Sequence, residues 1–426
     1  MQRTVMDTLR ERGLFEDMTG LEVERLVQSP SVVYAGFDPS APSLQVGNFV
    51  TIMALAHFQR AGHKVIALVG GATGMIGDPS GKTTARTMLT AEQIARNQEG
   101  VRENLSRFLD FSDSPSGAVM VNNHDWFKGF TVVDFLRDVG VHFRMGAMLG
   151  RESVRARLES DVGLSYTEFS YQLLQAYDFL KLHDSHGCRI QIGGSDQWGN
   201  ITAGTDLVRR LRGAECFGVT FPLVCDSTGK KFGKSEGNAI YLDHNLTPYY
   251  DFYQFFLRVE DTDVVRFLKI FTFIPMDEIS ALEQATRAEP EKRAAQRRLA
   301  EELTRIVHGA TGLAVAQRAS EVLFGGTMEG LHAEELLGIF ANVPSAQLER
   351  DEVVAKPAID VAVKAGLCKS KGEARRLIES GGLYVNNRRV DGIQATVSQN
   401  DAVDGRIVVL RSGKRTFHLV KLGPVR

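Results

Sequence analysis

Four glycine-containing turns of this 426-residue chain carry the residues whose types and spacing could do chemistry. Each turn stands where a strand would end, and together they hold lysines, carboxylates, amides and hydroxyls. They are Gly36–Ser40 with the helix start Gln45–Asn48, Gly70–Lys82, Gly193–Asn200 and Gly229–Ser235. Ligands of open parallel sheets bind outside the carboxyl ends of the strands, so these turns are predicted to form one crevice.

The second turn does not match a P-loop, although it ends in Gly81-Lys82-Thr83. A P-loop needs glycine at position 76, where this chain has Ile76. Pro79 also removes a backbone N–H donor from any phosphate cradle. We therefore reject a P-loop nucleotide site in this segment.

The elements that position these turns alternate between buried strands and helices. The predicted strands are Ser31–Phe37, Lys64–Val69, Ala118–Val121 and Cys188–Ile192. Between the first two, the segment Val50–Gln59 has apolar residues at helical spacing. This alternation predicts an α/β fold with a Rossmann-like, doubly wound parallel sheet.

The strand signals fade after about residue 245, and the rest of the chain is predicted to be organised differently. Residues 1–244 are predicted to form the α/β domain and 245–325 an α-helical domain. Residues 326–356 are predicted to be a linker with a short element, and 357–426 a small α+β domain.

Local signals place helices and turns within these later segments. Pro290 is predicted to open a helix that presents Leu299 and Leu303 on its apolar face. Ser370 and Glu373 are predicted to form a capping box. After that helix, Asn386-Asn387 is predicted to form a turn between two strands.

The composition excludes several classes of protein. With 43% hydrophobic and 24% charged residues, the chain is typical of globular proteins, and no apolar run reaches the roughly 18 residues of a membrane span. The polar N-terminus lacks the apolar stretch of a secretion signal. Four cysteines without a CxxC pair argue against a disulfide framework and a zinc knuckle, so we expect a reduced, cytoplasmic compartment.

Charge is distributed unevenly although the net charge is only −2. Residues 356–426 hold 14 Lys and Arg against 6 Asp and Glu, whereas the preceding residues are acidic overall. A basic end on an acidic body suggests a polyanionic partner, RNA or DNA. A solvated basic face is the alternative explanation.

Taken together, the four turns resemble the class I aminoacyl-tRNA synthetases, and specifically the bacterial tyrosyl-tRNA synthetases, over nearly the whole chain. Gln45–Asn48 occupies the place of the family's HIGH motif, and Lys231–Ser235, which reads KFGKS, that of its KMSKS loop. The stretches TGMIGDPSGK and GGSDQWGN and the segment Tyr171–Asp178 are similar to tyrosyl enzymes. Residues 357–426 resemble their S4-type RNA-binding domain.

The resemblance implies a two-step reaction with L-tyrosine, ATP and tRNA(Tyr) as substrates. The tyrosine carboxylate attacks the α-phosphate of ATP, and the tyrosyl group then passes to the terminal adenosine of the tRNA. Because the carboxylate is already a nucleophile, the enzyme needs only to align the reactants and stabilise the charge of the leaving pyrophosphate. Mg²⁺ is expected to arrive with ATP, and no protein metal site is expected.

The resemblance assigns the phosphate chemistry to cations and amide donors. Lys231 and Lys234 are expected to bind pyrophosphate. Lys82 and Arg86 would face the same charge or the tRNA 3′ end, unless they are a solvated pair. Further expected contacts to the reacting phosphates are Ser40, Gln45 and Asn48. Ser40 and Gln45 depart from the family, which has Thr and His there; both can donate hydrogen bonds, but Gln45 cannot become cationic.

The resemblance also assigns the two substrate pockets. Tyr34 and Asp178 are expected to bind the phenol of tyrosine, and Asp78, Tyr171 and Gln175 its α-ammonium group. Tyr171, Gln175 and Asp178 share one helix face. The other expected tyrosine contacts are Asn123 and Gln197. The expected ATP contacts are Gly36, Asp38, Gly47, Asn48, Thr51, Gly193, Gly194, Asp196, Lys231 and Lys234.

Two other functions compete with this interpretation. A tryptophanyl enzyme has a similar fold, but it normally lacks a basic S4-type domain, and the Tyr34–Asp178 pair suits a phenol better than an indole. A non-enzymatic RNA-binding protein is the second alternative, which Gln45 favours slightly. The expected RNA contacts are Lys371, Arg375, Arg376, Arg388 and Arg389. The family also implies a homodimer, and no membrane association is expected.

Overall fold

The computed structural model describes residues 3–80, 89–159, 163–229, 232–235, 238–340, 343–414 and 416–423. The chain divides into two compact units, residues 1–309 and 310–426. The boundary falls inside the segment 245–325, and the limits proposed from the sequence at 244, 325 and 356 remain predictions.

A six-stranded sheet forms the centre of the first unit, in the order β1-β6-β5-β2-β3-β4. All neighbouring strands are parallel except β1, which pairs antiparallel with β6. The strands are β1 Asp17–Met18, β2 Val32–Phe37, β3 Lys64–Val69, β4 Val119–Asn122, β5 Ile190–Gly194 and β6 Phe217–Phe221. The predicted parallel sheet is confirmed, and the sequence reasoning missed β1 and β6.

The strand order creates the place for a ligand. From β2 the chain proceeds outward through β3 to β4, and it then returns to the other side of β2 to form β5 and β6. The carboxyl ends of β2 and β5 therefore flank a topological switch point, where the crevice of a doubly wound sheet lies. β3 and β5 are almost entirely buried, as expected for strands covered by helices on both faces.

Helices cover this sheet and continue beyond it. The helices that begin in the first unit are α1 Val5–Arg12, α2 Val23–Leu26, α3 Phe49–Arg60, α4 Thr73–Ile76, α5 Ala91–Leu105, α6 His124–Phe127, α7 Val132–Asp138, α8 Met145–Leu149, α9 Glu152–Leu158, α10 Tyr166–His186, α11 Trp198–Arg212, α12 Tyr249–Leu257, α13 Asp261–Phe271, α14 Met276–Ala288 and α15 Ala294–Leu323. A short antiparallel pair, β7 Lys234–Ser235 and β8 Asn238–Ala239, lies between α11 and α12.

The helix predicted to open at Pro290 begins later than expected. Pro290–Lys292 forms a 3₁₀ turn, and α15 begins at Ala294. The interruption is at Arg293, whose backbone is left-handed with φ of 48°. The Arg293 guanidinium donates to the carbonyls of Leu257 and Val259, which fixes the turn against the end of α12. Gly309 also has non-helical dihedrals within α15, at the boundary between the units.

The second unit contains a five-stranded sheet in the order β11-β10-β12-β13-β9. Its strands are β9 Ser345–Leu348, β10 Leu383–Val385, β11 Arg388–Arg389, β12 Ile407–Ser412 and β13 Thr416–Leu422. Its helices are α16 Ala333–Ile339, α17 Arg350–Val353, α18 Ala358–Lys364 and α19 Lys371–Glu379. The range 326–356, predicted to be a linker with a short element, contains α16, the edge strand β9 and α17. Strand β9 pairs parallel with β13.

Two local predictions in this unit can be compared with the structure. The Ser370 hydroxyl accepts from the Glu373 N–H at 3.2 Å, as expected of a helix cap. The Glu373 carboxylate, however, accepts from the N–H of Lys369 at 2.7 Å rather than from that of Ser370. Asn386 and Asn387 have φ of 46° and 60°, and they form the predicted turn between β10 and β11.

Within the described ranges, no helix is both long and apolar enough to cross a membrane.

Candidate active site

A cleft of about 350 Å³ opens at the carboxyl ends of β2 and β5. It collects residues from all four turns that the sequence singled out. The fourth turn contributes Phe232, whereas Lys230 and Lys231 lie outside the described residues. Sixteen of the predicted site residues line it: Tyr34, Gly36, Asp38, Ser40, Gln45, Gly47, Asn48, Thr51, Asp78, Tyr171, Gln175, Asp178, Gly193, Gly194, Asp196 and Gln197.

Four predicted cations cannot be placed in this cleft. Lys82, Arg86 and Lys231 lie outside the described residues. The backbone of Lys234 is described as part of β7, but its side chain is not. Their expected contacts with phosphates therefore stay predictions.

One end of the cleft holds a buried carboxylate. Asp178 on α10 is 2% exposed, and its two oxygens accept from the side-chain amide of Asn123 at 3.1 Å and from the indole N–H of Trp126 at 2.9 Å. Burial raises the pKa of Asp178 to about 8, although the two hydrogen bonds act to lower it. The side chain of Asp178 therefore changes between its protonated form and its carboxylate form close to neutral pH.

Two polar atoms that bound the same cleft have no partner in the part of the chain that the structure describes. These are the hydroxyl of Tyr34 and the side-chain carbonyl oxygen of Gln191, both buried. The two residues are register neighbours on β2 and β5, so their side chains project to the same face of the sheet. Burial and the nearby Asp178 carboxylate raise the pKa of Tyr34, which keeps its hydroxyl protonated. Leaving such groups unpaired is costly, so a ligand with polar atoms fits here.

A chain of hydrogen bonds connects Asp178 to the middle of the cleft. The Asn123 amide also donates to the Thr73 hydroxyl at 2.9 Å, and Thr73 donates to Asp38 at 2.7 Å. The second oxygen of Asp38 accepts from the Tyr171 hydroxyl at 2.8 Å. Asn123 is completely buried and lies behind Asp178 rather than among the residues that line the cleft. It therefore orients the two carboxylates that face the ligand.

A second network of hydrogen bonds surrounds Asp78. Gln197 donates to Asp78 at 2.6 Å, and Gln175 donates to Gln197 at 3.2 Å. The Asn200 amide donates to Gln175 at 2.9 Å. The Asp78 carboxylate and side-chain amide oxygens converge here, an arrangement suited to a ligand ammonium group.

Glycines keep the wall beside Asp196 open. A Cβ added to Gly194 would lie 2.7 Å from a carboxylate oxygen of Asp196, and one added to Gly193 would lie 3.0 Å from the Gln197 side chain. Because glycine avoids these clashes, both cleft side chains keep their positions beside the backbone of β5.

The segment Gln45–Asn48 directly contacts the part of the chain that contains Gly233 and Ile240. The Val46 N–H donates to the carbonyl of Ile240 at 2.9 Å, and a Cβ on Gly233 would lie 2.9 Å from the Gly47 nitrogen. Gly233 has φ of 105°, so glycine is required there on both counts. The Gln45 N–H donates to the Asn48 side-chain oxygen at 2.9 Å, which leaves the Asn48 amide N–H groups available to a ligand.

The predicted RNA contacts belong to the second unit. Arg375 and Arg376 on α19 are exposed, as are Arg388 and Arg389 on β11. Lys371 forms an ion pair with Asp360, and Arg388 forms one with Asp401. The helix and the neighbouring strand thus present a basic surface, although two of its five cations have carboxylate partners.

Sequence reasoning missed four residues of the cleft and its support: Thr73, Trp126, Gln191 and Asn200. Thr73 and Asn200 stand inside motifs that had been recognised, but their roles depend on contacts across the fold. Trp126 lies just after the end of β4. Its position could have indicated a role, because cleft residues also lie just after the ends of β2 and β5. Gln191 could have been found, because a polar amide inside a buried apolar strand is unusual.

The described residues contain no group of three or more His, Cys, Asp or Glu arranged to hold a metal ion. All four cysteines are free thiols.

Comparison with known proteins shows the family of the chain. Residues 27–325 match the family model of tRNA synthetases class I (W and Y), and residues 335–420 match the tyrosine–tRNA ligase SYY-like C-terminal domain. The chain therefore belongs to the class I aminoacyl-tRNA synthetases of the tryptophan and tyrosine type. Within that class, it belongs to the tyrosine–tRNA ligase family, as its full-length relatives show.

Those relatives are similar from end to end. The tyrosine–tRNA ligase of Opitutus terrae is 48% identical over 98% of this chain and 100% of its own length. That of Geobacillus kaustophilus is 48% identical with the same coverage. A solved C-terminally truncated mitochondrial tyrosyl-tRNA synthetase of Aspergillus nidulans is 32% identical, with a TM-score of 0.68 over 76% of this chain and 95% of that chain.

Proposed function

We propose that the chain activates L-tyrosine with ATP and transfers the tyrosyl group to the 3′-terminal adenosine of tRNA(Tyr). The observation that carries this proposal is the buried hydroxyl of Tyr34, which has no hydrogen-bond partner among the described residues and bounds the same cleft as the buried Asp178 carboxylate. A substrate phenol can accept from Tyr34 and donate to Asp178, which satisfies both groups. Phenylalanine would leave the Tyr34 hydroxyl unpaired and would make no hydrogen bond to Asp178, so it is selected against.

The remaining contacts position the amino acid for attack. Asp78, Tyr171 and Gln175 bind the α-ammonium group, which turns the carboxylate toward the nucleotide side. Asp38 is held by Thr73 and Tyr171 and stabilises the same positive charge. The tyrosine carboxylate then attacks the α-phosphate of ATP, and the enzyme contributes alignment rather than a nucleophile of its own.

The nucleotide lies between the ends of β2 and β5 in this proposal. Gly193 and Gly194 allow close approach of the backbone, and Asp196 binds the ribose hydroxyls. Gln45 and Asn48 donate to the phosphates, and Lys231 and Lys234 neutralise the leaving pyrophosphate. Mg²⁺ enters bound to ATP, as part of the substrate.

The second unit binds the tRNA backbone through its basic surface. Exposed arginines on α19 and β11 contact phosphates, which supplies affinity that weakens with salt. The enzyme acts in the cytoplasm, consistent with four free thiols.

A homodimer is supported by an exposed apolar patch on the first unit. The patch consists of Val132, Val133, Leu136, Val141 and Met145, which are 46–77% exposed. Contiguous exposed apolar surface of this kind is typical of a protein interface. We propose a second copy of this chain as its occupant.

Amino-acid-dependent ATP–pyrophosphate exchange tests the proposed function. Exchange supported by tyrosine, and not by tryptophan or phenylalanine, is expected, together with charging of tRNA(Tyr). Exchange that tryptophan supports better would overturn the phenol assignment. Absence of exchange with every amino acid, combined with tRNA binding, would identify an RNA-binding protein instead.

A further inference from the structure

Helix α13 contacts the beginning of the segment that carries Lys231 and Lys234. The Asp263 carboxylate is 4% exposed, and it accepts from the backbone N–H of Ser227 at 2.8 Å. Its other oxygen accepts from Arg266 at 2.8 Å, and Arg266 also donates to the carbonyl of Cys225. The residues just before the lysine segment are thus held by a partly buried, charge-assisted network.

The same helix contacts the segment again after its first lysines. The Phe232 ring lies 4.1 Å from that of Phe267 and 5.5 Å from that of Phe271, centroid to centroid. The Phe232 N–H donates to the carbonyl of Val224 at 2.9 Å, which closes the segment at its base. Gly233 follows immediately and packs on Gly47 of the nucleotide side.

These contacts come from one face of α13. Asp263, Arg266 and Phe267 are separated by three and four positions, and Phe271 lies one turn further along. The face therefore contacts described residues on both sides of positions 230 and 231, namely Cys225 and Ser227 before them and Phe232 after them.

We propose that Asp263 is a positioning residue for the catalytic lysines, acting through Ser227 and Arg266 on the segment that presents Lys231 and Lys234 to the pyrophosphate. The proposal rests on the role of these lysines in the proposed function. Asp263 itself lies outside the cleft and does not touch substrate. Its effect is therefore confined to the step in which pyrophosphate leaves or returns.

This restriction provides the test. In Asp263→Ala, the kcat for tyrosine-dependent pyrophosphate exchange is expected to fall by about tenfold to a hundredfold, as for a misplaced catalytic group. The KM for tyrosine should stay within about twofold, since Asp263 is not among the residues that line the cleft. Single-turnover transfer from preformed enzyme-bound tyrosyl-adenylate to tRNA should be unchanged, because the pyrophosphate has already left. Rates are normalised to active sites counted by adenylate formation.

Asp261→Ala is the matched control. Asp261 also lies in the first turn of α13, but it accepts from Gln296 and makes no hydrogen bond to residues 225–232 among the described contacts. The Asp261→Ala variant removes the same charge from the same helix terminus. Its kcat for pyrophosphate exchange is expected to equal that of the wild type. Asp263→Asn, which keeps an acceptor for Ser227, should recover much of the lost kcat. If Asp263→Ala folds poorly, Arg266→Met tests the same network, because it removes the exposed guanidinium that donates to Asp263 and to the Cys225 carbonyl.

The outcomes separate this proposal from the proposed function. Equal exchange rates for Asp263→Ala and Asp261→Ala would overturn the positioning role, as would equal losses in activation and transfer. A wild-type enzyme without tyrosine-dependent exchange would instead overturn the proposed function.

Discussion

Replacing Asp178 by Asn tests the recognition of the phenol. The carboxylate accepts from Asn123 and Trp126. In the proposed complex it also accepts from the substrate phenol. An amide of the same shape offers one acceptor oxygen and one NH₂ group. Its NH₂ group must then face a donor, either one of the two protein groups or the phenol.

The expected magnitude follows from the lost contact. A hydrogen bond to a charged group contributes about 1.5–3 kcal/mol, which corresponds to a roughly 10- to 150-fold loss of kcat/KM for tyrosine. Phenylalanine has no phenol, so its small kcat/KM should change little. The ratio of the two values should therefore fall by nearly the same factor.

Pyrophosphate exchange at varied tyrosine, phenylalanine and ATP concentrations measures these values. Asp184→Asn is the control, since Asp184 lies on the same helix but forms an exposed ion pair with Arg212. It should retain wild-type kinetics. Equal losses for tyrosine and phenylalanine in Asp178→Asn, or no loss, would refute the assignment of Asp178 to the phenol.

Three further predictions concern pH, tRNA and assembly. Because the pKa of Asp178 is about 8, kcat/KM for tyrosine should rise between pH 6 and 8.5 as the acceptor carboxylate forms, and Asp178→Asn should lack this rise. The folded protein also holds a proton that an unfolded chain releases near pH 4, so the stabilisation from this group is present at pH 4 and lost by about pH 8. The unfolding free energy of the wild type should therefore fall relative to that of Asp178→Asn over that range, and a constant difference would contradict it. Arg375→Ala with Arg376→Ala should weaken tRNA binding and reduce its salt slope by about two while sparing pyrophosphate exchange, and an unchanged slope would remove these arginines from the RNA surface. Val133→Asp should shift the mass measured by light scattering from two chains to one, whereas an unaltered dimer would place the interface elsewhere.

The sequence predicted the parts of the site that are encoded locally. Apolar runs ending in glycine turns identified β2 and β5, and the spacing of Tyr171, Gln175 and Asp178 placed them on one helix face, where the structure also has them. Such features depend on residues close together in the chain, so their periodicity is sufficient.

Contacts between distant segments could not be predicted in the same way. The link from Asp178 through Asn123 and Thr73 to Asp38 joins four elements, and no local pattern specifies it. The left-handed turn at Arg293 is fixed by carbonyls at the end of α12, so tertiary contacts override the helix signal of Pro290.

A structure of the enzyme with bound L-tyrosine tests the central claim most directly. The account predicts the phenolic oxygen at about 2.5–3.0 Å from both the Tyr34 hydroxyl and an Asp178 carboxylate oxygen, with the ammonium group beside Asp78. Tyrosine bound with its ring directed away from Tyr34 and Asp178 would contradict it.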